Sequence, residues 1–135
     1  MLKLIIGVKG TGKTKTLISM VNEASEKTEG TVVCIEKGVG LRFDVKYTAR
    51  LINTNDYLIF DAEALYGFVA GILASNHDVT DLFIDSSLKI CNDNYADYDK
   101  FLDEVAAISD KIGINIVTTA SMPADKASDT VKKYL

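Results

Sequence analysis

Within the first fifteen positions, "GVKGTGKTK" (residues 7–15) gathers Gly7, Gly10 and Gly12 with Lys9, Lys13 and Lys15. The apolar run "LKLII" precedes it, and "TLISMVNEASEK", with apolar residues at helical spacing, follows. A helix start carries partial positive charge, so each lysine there costs a few tenths of a kcal/mol, up to about 1 kcal/mol, unless an anion is present. Gly7, Gly10, Gly12, Lys13 and Thr14 satisfy the spacing G-x-x-x-x-G-K-[ST], in which glycines let successive backbone N–H groups turn inward around phosphates. The missing anion is therefore expected to be a nucleoside triphosphate, held by Gly7, Gly10, Thr11, Gly12, Lys13, Thr14 and Lys15. Lys13 is placed to reach the β- and γ-phosphates and the Thr14 hydroxyl to help hold Mg²⁺. Lys9 could face phosphate or solvent, and Lys15, in the first helical turn, could do the same.

Such a loop needs a second acid to position the metal. "LFID" delivers one, Asp85, behind Leu82, Phe83 and Ile84 at the end of a buried-type strand. Lys13 and Asp85, with a further acid discussed below, are the catalytic candidates; Thr14 and Asp85 are the metal candidates. Cys34 and Cys91 stand apart, without the close spacing of a metal or redox pair, and are expected to be reduced packing residues. His77, in "SNHD", reads as a surface-loop histidine.

The elements that must carry these residues follow from periodicity. Five apolar runs of strand length occur at 2–6, 31–36, 49–54, 81–85 and 114–119. They lack clean polar alternation, as expected for strands covered on both faces of a parallel sheet. Residues 14–28, 61–75 and 95–112 carry apolar stripes at spacings of three and four, with Asp61 as an N-cap and Gly113 as a terminator. Strands alternating with helices predict an α/β three-layer sandwich with a mostly parallel five-stranded sheet. Residues 37–48 fit neither period and are expected to form a loop over the sheet edge; "YLIF" (57–60) is either a short strand or a helix lead-in.

A chain of 135 residues fits one domain, 1–135. With a formal net charge of −4, bulk electrostatics give no indication of a nucleic-acid partner, although Lys37, Arg42 and Lys46 leave a local contact conceivable. No run approaches the roughly 20 apolar residues of a membrane span, and none resembles a signal peptide, so a cytoplasmic protein with no membrane partner is expected.

Several stretches resemble the RecA-like P-loop ATPases. "FIDSSLKI" is similar to their metal-acid strand, "VVCIEKG" to the second strand that ends in a catalytic glutamate, and "INIVTTAS" to the last core strand, which ends near the γ-phosphate. The resemblance implies a P-loop NTPase fold in strand order 5-1-4-3-2, with Glu36 as the base that orients the attacking water. It also implies Thr119 or Ser121 as a γ-phosphate sensor, and Arg42 or Arg50 completing a neighbour's site in a homo-oligomer. Two departures stand out: Ser86 occupies the place after Asp85 where many relatives carry glutamate, and the last strand lacks their polar amide. The opening is also shared with twitching-motility retraction ATPases, but their histidine and acidic boxes are missing here.

The function expected from these residues is Mg-ATP binding with slow hydrolysis of the γ-phosphate. A nucleotide-responsive binding module, with the tail "PADKASDTVKKYL" docking on a partner or packing back on the sheet, is the alternative. A small-molecule phosphotransferase is weaker, because no arginine follows residue 50 to build a phosphate-clamping lid. A GTPase is weaker still, since neither N-K-x-D nor D-x-x-G is present where it would be needed.

Overall fold

Side-chain alternation along the strands decides how this chain is layered. A computed structural model describes residues 1–135. Its strands are β1 (Leu2–Gly7), β2 (Thr31–Glu36), β3 (Arg50–Asn53), β4 (Val79–Ile84) and β5 (Asn115–Ser121). The helices are α1 (Lys13–Lys27), α2 (Ala62–Ser75), α3 (Ser87–Ile90), α4 (Tyr95–Ile112) and α5 (Asp129–Lys132). Val33, Ile35, Leu82, Ile84 and Ile116 point to one face, where α2 and α4 supply Leu65, Val69, Phe101, Leu102 and Val105. Val32, Cys34, Phe83 and Val117 point to the other, against Leu17 and Val21 of α1 and Leu41 and Val45 of the 37–48 loop. Full burial of each such side chain stabilises the fold by about 1.5–3 kcal/mol.

All five strands are parallel, as the unbroken apolar runs predict. Their order is β1-β5-β4-β2-β3, which corrects the expected 5-1-4-3-2. β1, which leads into the glycine loop, lies at one edge, paired only with β5, and β5 separates it from β4, which precedes Asp85. Both edges carry a charged residue on an exposed strand position, Lys3 in β1 and Arg50 in β3, and β3 is only four residues long. Short strands bearing charge suit sheet edges. The tail covers the outer side of β1: Leu4 N–H donates to the Tyr134 carbonyl at 2.7 Å, and Val131 of α5 is buried in the larger core. It thus packs back on its own fold, against α4, where Ser128 Oγ donates to Asp99 at 2.8 Å.

Asp61 caps α2 by accepting from Ala64 N–H at 2.8 Å, and Asn94 caps α4 through Asp97 N–H at 3.1 Å. "YLIF" is neither a strand nor a full helix; a 3₁₀ turn over Thr54–Tyr57 ends there, with Leu58 left-handed at φ 57° before α2 begins. The 37–48 segment is a loop, as expected, and it lies over α1. Asn22 fixes it there by donating to the Asp44 carbonyl and accepting from Lys46 N–H, both at 2.9 Å.

Candidate functional site

Parallel strands deliver their C-terminal ends to one side of the sheet, where open α/β folds bind ligands. Gly7 aligns with Ser121, and Ile84 with Thr118, so Gly7, Ser121, Asp85 and Glu36 all reach that side. The chain from Gly7 to Thr14 bridges the end of β1 and the start of α1. Gly10 and Gly12 each sit at φ 88°, a conformation that side-chain-bearing residues rarely adopt. A Cβ at either glycine would meet nothing within 4 Å, so backbone conformation, not crowding, requires glycine there. Met122 N–H donates to the Gly7 carbonyl at 3.0 Å and ties the loop's first residue to the end of β5.

No side chain caps the start of α1, and its first turn holds no acid. That turn opens on a cleft of about 930 Å³. Four lysines line it, Lys9, Lys13, Lys15 and Lys89, against two carboxylates, Asp44 and Asp93. The cleft is thus cationic in a chain whose formal net charge is −4. Gly10, Gly12, Thr14, Ile18, Ser19, Ser86 and Ser121 complete its walls. The Lys13 ammonium arches back over the loop to donate to the Val8 carbonyl at 2.9 Å, and the Thr11 hydroxyl donates to the same carbonyl at 2.8 Å.

Asp85 stands just behind Thr14. Its backbone N–H donates to the Ile35 carbonyl at 2.8 Å, and its Oδ1 accepts from Thr119 Oγ1 at 2.9 Å. The Thr14 hydroxyl lies 3.2 and 3.3 Å from the two carboxylate oxygens. Thr119 Oγ1 also accepts from Ser86 N–H at 2.8 Å. Hydroxyl and carboxylate oxygens at one point suit a hard divalent ion, and Mg²⁺ commonly takes only one or two protein oxygens beside phosphates and water. Thr14 and Asp85 fit that demand, as the glycine loop and lysines fit a polyphosphate.

Not every expected residue lines the cleft: Gly7 and Thr11 do not, and Asp85 lies behind Thr14, reaching the cleft only through that residue. Glu36 is 5% exposed, and both its oxygens face Leu41 N–H, at 3.2 and 3.3 Å. Burial pushes its carboxyl above the ordinary range; the Leu41 N–H opposes this, the Asp85 charge adds to it, and the Gly40 N–H opposes it. It is not among the residues lining the cleft; it anchors the loop that leads to Asp44. Of the two sensor candidates, Thr119 is buried and saturated by Asp85 and Ser86, whereas Ser121 is exposed on the cleft wall. Arg42 and Arg50 are exposed, with the Arg42 guanidinium 4.8 Å from the Phe43 ring. Cys34 and Cys91 are free and buried, and burial pushes both thiols up to about 12.

Sequence reasoning missed Lys89, Asp44 and Asp93. The signal for Lys89 was available in "DSSLK", which puts it four positions beyond Asp85.

The fold defines an α/β protein with an all-parallel five-stranded sheet. Compared with known proteins, the chain matches no family model and no curated sequence. No helix is long and apolar enough to cross a membrane.

Proposed function

We propose that this protein binds Mg-ATP in the cleft at the start of α1 and hydrolyses it slowly. The observation that carries the reading is the glycine loop with two left-handed glycines opening α1, uncapped, into a cleft lined by four lysines. Backbone N–H groups at a helix start, together with the helix dipole, form a ready anion site. Lys13 swings from the Val8 carbonyl onto the β- and γ-phosphates, exchanging a neutral acceptor for a charged one. Thr14 and Asp85 would hold Mg²⁺, which would supply positive charge against the phosphates. Hydrolysis proceeds by attack of a water oxygen on the γ-phosphorus, in line with the departing bond to ADP. The chain's part is to position the phosphates and to stabilise their developing charge.

Glu36 at Leu41 rather than at the cleft leaves no buried carboxylate poised on that water. This favours slow turnover, and it is the observation behind the second reading, a nucleotide-responsive binding module with little hydrolysis. Calorimetric titration with Mg-ATP, paired with phosphate release, tests the proposal on wild type and Lys13→Ala. Wild type is expected to bind, and Lys13→Ala to lose at least about tenfold in affinity, the size of one charge-assisted phosphate contact. Equal affinity in the two proteins would overturn the proposal; binding without phosphate release would select the second reading.

A further inference from the structure

Ser86, Lys89 and Asp93 contribute to the wall of the cleft. Ser86, Asn92 and Asp93 adopt left-handed conformations, at φ 55°, 59° and 54°. Asn and Asp take that conformation readily, whereas a serine there is held by its surroundings. The bonds that hold Ser86 and Ser87 are visible. Ser86 N–H donates to Thr119 Oγ1; Ser87 Oγ shares a hydrogen bond of 2.7 Å with the Tyr98 hydroxyl and accepts from Thr118 Oγ1 at 2.6 Å. Leu88 and Ile90 are buried in the core.

In α3, therefore, Ser87, Leu88 and Ile90 point inward, and Lys89 alone is exposed. It lines the same cleft as Lys13 and Thr14. Asp93 also lines the cleft, yet Lys89 is in no ion pair. Four positions before it in the chain is Asp85, whose carboxylate meets the Thr14 hydroxyl. On the Mg-ATP reading that is the metal end of the site, to which the β- and γ-phosphates belong.

We infer that Lys89 is a cation supplied within the same chain for the γ-phosphate, in the cleft that Lys13 also lines. The inference rests on the Mg-ATP reading and deepens it. With Lys89 in place the site tells a triphosphate from a diphosphate, and it needs no arginine from a second subunit. The buried neighbours Ser87, Leu88 and Ile90 fix the backbone from which that ammonium reaches into the cleft.

Calorimetric affinities for Mg-ATP and Mg-ADP decide this, measured on wild type, Lys89→Ala, Lys89→Arg and Lys111→Ala, the last removing an exposed lysine of α4 outside the cleft. Wild type is expected to prefer ATP. Lys89→Ala is expected to lose about tenfold of that preference, the size of one charge-assisted hydrogen bond, with ADP affinity nearly unchanged. Lys89→Arg keeps most of the preference, and Lys111→Ala leaves it intact. If Lys89→Ala weakens ATP and ADP equally, or neither, Lys89 does not meet the γ-phosphate. A preference lost in Arg42→Ala and dependent on protein concentration would also overturn it, in favour of a neighbour's arginine. If wild type binds neither nucleotide, the Mg-ATP reading itself fails, a result distinct from all of these.

Discussion

Asp85 is held by its own backbone bond to Ile35 and by hydroxyls from two other elements, Thr14 of α1 and Thr119 of β5. A carboxylate so placed has a fixed orientation, which the proposed Mg²⁺ site requires. Asp85→Asn keeps the shape but removes the charge, so Mg²⁺ is expected to enhance ATP affinity at least about tenfold less than in wild type, read by titration with and without the metal. Glu36 calls for a different test. Its folded-state carboxyl is raised, chiefly by burial, so the stability it contributes is full below the ordinary carboxylate range and is lost as pH rises through the raised value. Glu36→Gln removes that loss: its melting temperature is expected to match wild type near about pH 4 and to exceed it at about pH 8. The same variant should slow phosphate release less than about threefold, whereas loss of a positioned base costs about 100-fold. Asp85 was legible in the sequence because an acid ending an apolar strand needs only local pattern. The Thr119–Asp85 bond was not, since it depends on the β4–β5 register that pairs Ile84 with Thr118. The contact of Glu36 was not legible for a related reason: its strand ends on the same side as the cleft, but the turn through Gly40 and Leu41 holds its side chain.

At the level of helices and strands, hydrophobic runs identify five strands and their parallel arrangement, because that depends on each strand's own composition. Their order depends on pairings between strands distant in sequence, such as β1 with β5, which no single strand's composition specifies. The outer edge of β1 is covered by α5 and Tyr134. Val131→Ala is therefore expected to cost about 2 kcal/mol in urea unfolding, the size of deleting two buried methyl groups. Removing residues 128–135 should do more. It frees the Leu4 N–H edge of β1 as well as the buried Val131, so the truncated chain is expected to self-associate in sedimentation while wild type under the same conditions does not. A tail that served only a partner would leave both stability and association unchanged when removed.

Taken whole, the molecule opposes its own charge: an acidic chain presents a cleft in which lysines outnumber carboxylates two to one. Because most of those lysines are exposed, their attraction for a polyphosphate is open to screening. ATP affinity is expected to fall about tenfold between roughly 0.05 and 0.5 M salt, as the screening length shrinks to a few ångströms. An affinity indifferent to salt would place binding elsewhere. The edge position of β1 has one more consequence, for the order of events during folding. Its only neighbour in the sheet is β5, Asn115–Ser121, the last of the five strands along the chain. Such sequence-distant pairing folds slowly. The strand that launches the glycine loop is therefore expected to join the sheet after β2, β3 and β4 have paired, and its amides to gain protection from hydrogen exchange last.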